Sequence, residues 1–200
     1  MYEEKMERLK KQVEFLVEVD KVKHIIRQTY LADGSRKEND AEHSWHLALA
    51  AVLLKEYSNE DVSLEKVVPM VLIHDLVEID AGDTYAYDEA AAAGKEERER
   101  KAAERVFGIL PKDQGQWFRE LWEEFEAYET PEAKFAHVLD NCQPLFLNDA
   151  SNGRSWAEHG VKKSQIYKRN RHTAEGSGAI WEYMKELVEK HIRLGHVIDE

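Results

Sequence analysis

From Glu65 to Ile79 the chain is apolar on almost every side: Val67, Val68, Met70, Val71, Leu72, Ile73, Leu76 and Val77 leave little face for water. A helix of that composition has to be central and buried. Pro69 either kinks it or marks its true first turn. The apolar run breaks at one place, His74-Asp75, and Glu78 follows four residues after the histidine and three after the aspartate, on the same helical face. Burying a carboxylate costs several kcal/mol unless a cation or a metal compensates it, so the pair requires a chemical reason.

The remaining chain also carries the three-to-four residue period of helices, with only ten Gly and four Pro to interrupt it. A first helix over Tyr2 to Val19 places Met6, Leu9, Val13, Leu16 and Val17 on one stripe. A second element starts near Lys21 and ends in the turn residues Asp33-Gly34-Ser35. The segment Glu38 to Tyr57 reopens with Asn39 or Asp40 as N-cap and puts Leu47, Ala50, Ala51 and Leu54 towards the core. Ser63 is positioned to cap the central helix. The charged run from Tyr87 to Phe107, with Glu96 to Arg100 and Glu97 to Lys101 at the favourable spacing of four, reads as a solvated outer helix. Further helices are expected from about Pro111 to Tyr128, from Thr130 as cap with Pro131 at the first position to about Asp149, and from about Gly178 to Leu194. The expected fold class is all-α, a single helical bundle over residues 1–200 in which the C-terminal helices pack on a core at about 21–150.

Composition narrows the function classes. Forty acidic against 28 basic side chains give a net charge of −12, which repels a nucleic-acid backbone and leaves small phosphorylated ligands, held by a few local cations or a metal. No run of about 18 apolar residues is present, and the start lacks a signal peptide's apolar stretch, so a cytoplasmic protein without membrane contact is expected. The single Cys142 cannot form an internal disulfide.

Two more polar residues interrupt apolar faces. His43 begins the stripe Leu47, Ala50, Leu54, and Asp140 ends Phe135-Ala136-His137-Val138-Leu139. Two imidazoles and two carboxylates form a nitrogen and oxygen set suited to one divalent ion among Mn, Fe, Co, Ni, Zn and Mg. His46 shares the face of His43 or serves helix packing, His137 is the best spare for a second metal, and Cys142, about 200° round the helix from Asp140, points away from the metal. The basic run Lys162 to Arg171 reads as a solvated face, with a place beside an anionic ligand as the lesser reading.

His43, the His74-Asp75 pair and the distant Asp140 together resemble the signature of the HD-domain metal-dependent phosphohydrolases. The flanks are similar too: Arg36-Lys37-Glu38-Asn39-Asp40-Ala41-Glu42-His43-Ser44 and His74-Asp75-Leu76-Val77-Glu78-Ile79-Asp80-Ala81-Gly82-Asp83 look like matching segments of the bacterial 5′-deoxynucleotidase branch. The resemblance spans roughly Lys21 to Ala150. It implies metal ligation by His43, His74, Asp75 and Asp140, an acid/base or water-positioning role for Glu78, a substrate contact at Asp83, and a phosphate-orienting Arg27. It further implies phosphomonoester hydrolysis of a nucleotide and a homodimer. Two departures stand out. Gln28 follows Arg27 where that branch has a tryptophan beside the sugar, and Thr84-Tyr85-Ala86-Tyr87 replaces its usual loop, so Gln28, Thr84, and Tyr85 or Tyr87 become the candidate substrate contacts that differ. The same metal site would also serve a nucleotide polyphosphate or phosphodiester hydrolase, or a non-catalytic metal- and nucleotide-binding module.

Overall fold

The computed structural model describes residues 2–82 and 94–200. Helix α1 (Tyr2–Val19) forms over the expected residues, yet its apolar stripe faces outward. Polar groups hold the opposite face to the body, Arg8 to Asp113 at 2.7 Å and Gln12 to Gln114 at 2.8 Å, and Phe15 alone is buried, its ring edge-on to Phe118.

The second element is not a helix beyond a short 3-10 turn at Asp20–His24. It becomes a hairpin, β1 (Ile26–Tyr30) antiparallel to β2 (Lys37–Asn39), with Ile26 opposite Asn39 and Tyr30 opposite Lys37. Ile26, Thr29 and Tyr30 suit the extended backbone, while the Asp33 carboxylate accepts from Ser35 N and Gly34 takes a positive φ, closing the turn. Asn39 then ends the strand and caps α2 (Asp40–Leu54): its side chain accepts from Glu42 N, and Glu42 accepts from Asn39 N. The hairpin and α2 are thereby locked in register.

Helix α3 (Leu64–Ile73) lies at the centre, packed on α2, on α6 (Lys112–Ala127) and on α7 (Pro131–Ala150), with Val67, Met70 and Val71 fully buried. Ser63 occupies the cap position without a side-chain cap bond, and Pro69 sits inside the helix. The expected single helix to Ile79 breaks at the polar pair: His74–Val77 tighten into a 3-10 turn, and α4 (Glu78–Ala81) follows until Gly82 at φ 76°. Helix α5 (Lys95–Gly108) differs from a purely solvated helix. Ala102, Ala103, Val106 and Phe107 are buried, and on the outer side Glu97 pairs with Lys101 and Arg100, the latter in place of Glu96.

Thr130 caps α7 by accepting from Ala133 N, as its Thr-Pro start requires. Three short helices not expected from the sequence follow: α8 (Arg154–His159), α9 (Lys163–Arg169) and α10 (Thr173–Gly176). Ser177 caps α11 (Gly178–Arg193), and Ile198 returns to bond Val161 and Lys163. One apolar cluster joins α2, α3, α5, α6, α7 and α11. Each fully buried Leu, Phe or Met in it contributes about 1.5–3 kcal/mol relative to exposure.

Candidate metal centre and its cavity

Three elements deliver the four candidate ligands. His43 comes from the first turn of α2, His74 and Asp75 from the 3-10 turn, and Asp140 from the middle of α7. Donor atoms of His43, His74 and Asp75 lie within 4.8 Å of one another. Asp140 Oδ1 is 3.0 Å from His43 Nε2 and 3.8 Å from His74 Nε2, and Asp75 Oδ2 is 3.2 Å from His74 Nε2. The sequence reading thus named residues that the fold does bring together.

Both imidazoles are oriented from behind. His74 donates its Nδ1–H to the Val71 carbonyl at 2.9 Å, which leaves Nε2 as a lone pair. That nitrogen is buried and has no hydrogen-bond partner among the described residues. His43 donates Nδ1–H to Gln143 Oε1 at 3.1 Å, and the amide of Gln143 in turn donates to Glu38 Oε2 and to His46 Nδ1. The Gln143 network therefore sets the tautomer of His43 and turns Nε2 towards Asp140. A pair of inward nitrogens, one orphaned, beside two carboxylates fits a divalent ion of the borderline or hard class.

The electrostatics agree with that fit. Burial opposes charge on His43, but hydrogen bonds to Asp140 and Glu38 overcome it and push its pKa up to about 9. His74 is raised as well, its burial outweighed by Asp75 and Asp140. Asp140 is held well below the usual carboxylate range, against its burial, by the two histidines and by Arg169. Here carboxylates exceed the cations available to them.

Arg27 is no surface charge. Its Nη1 reaches Asp75 Oδ2 at 2.7 Å and Asp40 Oδ1 at 3.2 Å, while its Nε lies 3.7 Å from Glu38 Oε1 and its Nη2 4.0 Å from Asp140 Oδ1. Asp40, the first residue of α2, is pushed up to about 7 by burial and by the charge of Asp75. A carboxyl poised there is suited to giving and taking a proton near neutral pH.

A cavity of about 300 Å³ opens from this cluster, bounded by Arg27, Gln28, His74, Asp75, Glu78 and Asp140 at one end. Lys95, Glu99, Phe125, Glu126, His137, Trp156 and Arg169 are among the residues that form the rest of the wall. Gln28 therefore lies where a substrate contact was expected, its amide oxygen accepting from Lys37 Nζ at 2.5 Å. Asp83, Thr84, Tyr85 and Tyr87 lie outside the described residues. His137, the spare for a second metal, stacks on Phe125 with centroids 3.9 Å apart and pairs through Nε2 with the Phe125 carbonyl, so that nitrogen is committed to packing. Cys142 is buried, with its thiol on the Leu139 carbonyl. Gln143 and Glu38 were given no role from the sequence, and Asp40 only that of an alternative N-cap. Gln143 could have been found: it lies one helical turn after Asp140, a polar residue in an apolar stretch.

The comparisons with known proteins agree with this geometry. The HD-domain family pattern matches residues 19–181. The 5′-deoxynucleotidase HDDC2 of Homo sapiens is 30% identical over 134 residues, which make up 66% of this chain and 64% of that protein, so the match spans slightly under two thirds of the relative. A crystal structure from Magnetospirillum magnetotacticum MS-1, described as a predicted metal-dependent phosphohydrolase, is 50% identical, superposes with a TM-score of 0.91, and covers 96% of both chains. A protein of Pyrococcus horikoshii OT3, at 20% identity and a TM-score of 0.63 over 91% of this chain and 99% of its own, shares the fold. With the pattern matched across most of its length and the His, His-Asp and Asp residues gathered at one cavity, this chain belongs to the HD-domain family.

Proposed function

We propose that the protein is a divalent-metal-dependent phosphomonoesterase that releases phosphate from nucleoside 5′-monophosphates. The observation that carries the reading is the orphaned, buried Nε2 of His74, set between two carboxylates at the head of a cavity large enough for a small ligand. The names of the curated relatives support the nucleotide part. His43, His74, Asp75 and Asp140 would hold one divalent ion, which supplies Lewis-acid charge at the phosphoryl group when bound. Arg27, anchored on Asp75 and Asp40, borders that group and offsets its charge. Glu78, with Asp40 behind it, takes a proton from the attacking water as the new P–O bond forms. As the P–O bond to the sugar breaks, the same carboxyl pair returns a proton to the leaving oxygen.

The proposal extends to assembly and compartment. Leu9, Val13, Leu16 and Val17 on α1, and Trp45, Val52 and Leu53 on α2, are exposed apolar residues of the kind that a second copy covers, and we read the protein as a homodimer. Sedimentation at micromolar concentration tests this, and a monomer would refute it. The compartment proposed is the cytoplasm, which the lone buried thiol suits.

A substrate panel crossed with a metal panel tests the activity. Orthophosphate should appear from at least one ribo- or deoxyribonucleoside monophosphate with manganese or cobalt. No release from any member would refute the reading, and release of diphosphate or triphosphate would replace it with polyphosphate hydrolysis.

A further inference from the structure

The basic run on α9 divides into outward and inward charges. Lys162 pairs with Glu200 at 2.5 Å, Lys163 with Glu189 at 2.7 Å, and Arg171 donates to His172. Arg169 turns the other way. It lines the cavity with a third of its side chain exposed, and its Nη2 lies 3.6 Å from Asp140 Oδ2. Its place is set by the end of α9: the next residue, Asn170, is fully buried and ties its amide to the Ile166 carbonyl at 2.8 Å.

Asp140 is thus divided between two sides, Oδ1 towards the histidines and Arg27, Oδ2 towards Arg169. The two guanidiniums differ in what they have left to give. Arg27 is nearly enclosed and engaged by Asp75 and Asp40 at hydrogen-bond distance. Among the described residues Arg169 has one long contact to a single carboxylate, and it lines the cavity with a guanidinium of five N–H donors. An anion entering here meets an excess of carboxylates, Glu38, Asp40, Asp75, Glu78 and Asp140, so a cation with open donors decides whether it can stay.

We propose that Arg169 binds a non-bridging oxygen of the substrate's phosphoryl group, as the second guanidinium contact beside Arg27. The proposal rests on the phosphomonoesterase reading and deepens it: two guanidiniums match the two charges of a phosphomonoester dianion better than the single charge of a diester. Dimethyl phosphate, a diester monoanion, should therefore bind less tightly than inorganic phosphate.

Calorimetry of inorganic phosphate and dimethyl phosphate with the manganese-loaded full chain tests this, with metal content followed by elemental analysis. R169Q should keep its manganese and bind phosphate roughly tenfold or more weakly, the scale of one charge-assisted hydrogen bond, with R169K in between. In turnover its KM should rise more than its kcat falls. Unchanged phosphate binding in R169Q would overturn the proposal. So would loss of manganese together with phosphate, because Arg169 would then serve only to hold Asp140, and so would a wild-type protein that binds no phosphate or binds dimethyl phosphate equally well. Wild-type turnover, measured separately, reports on the phosphomonoesterase reading: phosphate binding that depends on Arg169 without any turnover would refute that reading and leave this contact standing.

Discussion

Two places in the molecule set buried histidines against carboxylates, and they are built in opposite ways. Near the C-terminus, His191 uses both ring nitrogens, Nε2 on Asp149 Oδ1 at 2.9 Å and Nδ1 on His196 Nδ1 at 2.9 Å, while Lys190 reaches the same Asp149 oxygen at 2.5 Å. Cations match anions there, and burial holds the His191 pKa below its ordinary value, so the ring is neutral and closed. At the cavity, His74 Nε2 has no hydrogen-bond partner among the described residues, the surrounding carboxylates raise both His43 and His74, and carboxylates exceed cations. A closed set stabilises a fold, whereas one with an open lone pair and surplus negative charge is arranged to receive a cation.

The sharpest way to break this contrast is to remove a cavity carboxylate. Asp75→Ala should abolish both stoichiometric metal and turnover, since it deletes a donor and strips Arg27 of its 2.7 Å partner. Elemental analysis with a phosphate-release assay checks it, and retained metal would remove Asp75 from the ligand set. Glu78→Ala should separate binding from chemistry: metal content stays while turnover falls by roughly 100-fold or more. Wild-type turnover, or metal loss as complete as that of Asp75→Ala, would show that the role of Glu78 is misassigned.

The C-terminal set should respond in stability alone. His191→Ala should cost about 1–3 kcal/mol, a few degrees in Tm per kcal/mol, with metal content and kcat unchanged. The smallest effect is in pH. Because the folded pKa of His191 lies below its ordinary 6.5, the unfolded chain takes up the proton first, so this contribution is present above about pH 6.5 and is lost on acidification. Wild type should therefore lose its stability margin over His191→Ala as pH falls from 7 towards 5 in thermal melts, and a margin that grows instead would reverse the assignment.

How much of this could be read from the sequence follows from the range of each interaction. His43, His74-Asp75 and Asp140 were visible because each breaks an apolar pattern, and the starts of α2 and α7 because Asn39 and Thr130-Pro131 are local cap signals. The hairpin was misread because five residues of β1 are too few to show a period, and the break at His74 because an apolar run looks alike in a 3-10 turn and an α-helix. Gln143 stands out locally as a polar residue one turn after Asp140, but its bond to His43 across 100 residues, like the turn of Arg169 out of the basic run towards Asp140, is a product of tertiary packing. The outward stripe of α1 belongs to the same class, since periodicity reveals an apolar face without saying what covers it.

The most direct test of the central claim is an anomalous difference map from crystals grown with manganese. The account predicts one strong peak at about 2.0–2.3 Å from His43 Nε2, His74 Nε2 and oxygens of Asp75 and Asp140, and none at His191, His196 and Asp149. A peak at the C-terminal histidines, or an ion near the cavity that leaves His74 Nε2 without a bond, would contradict it.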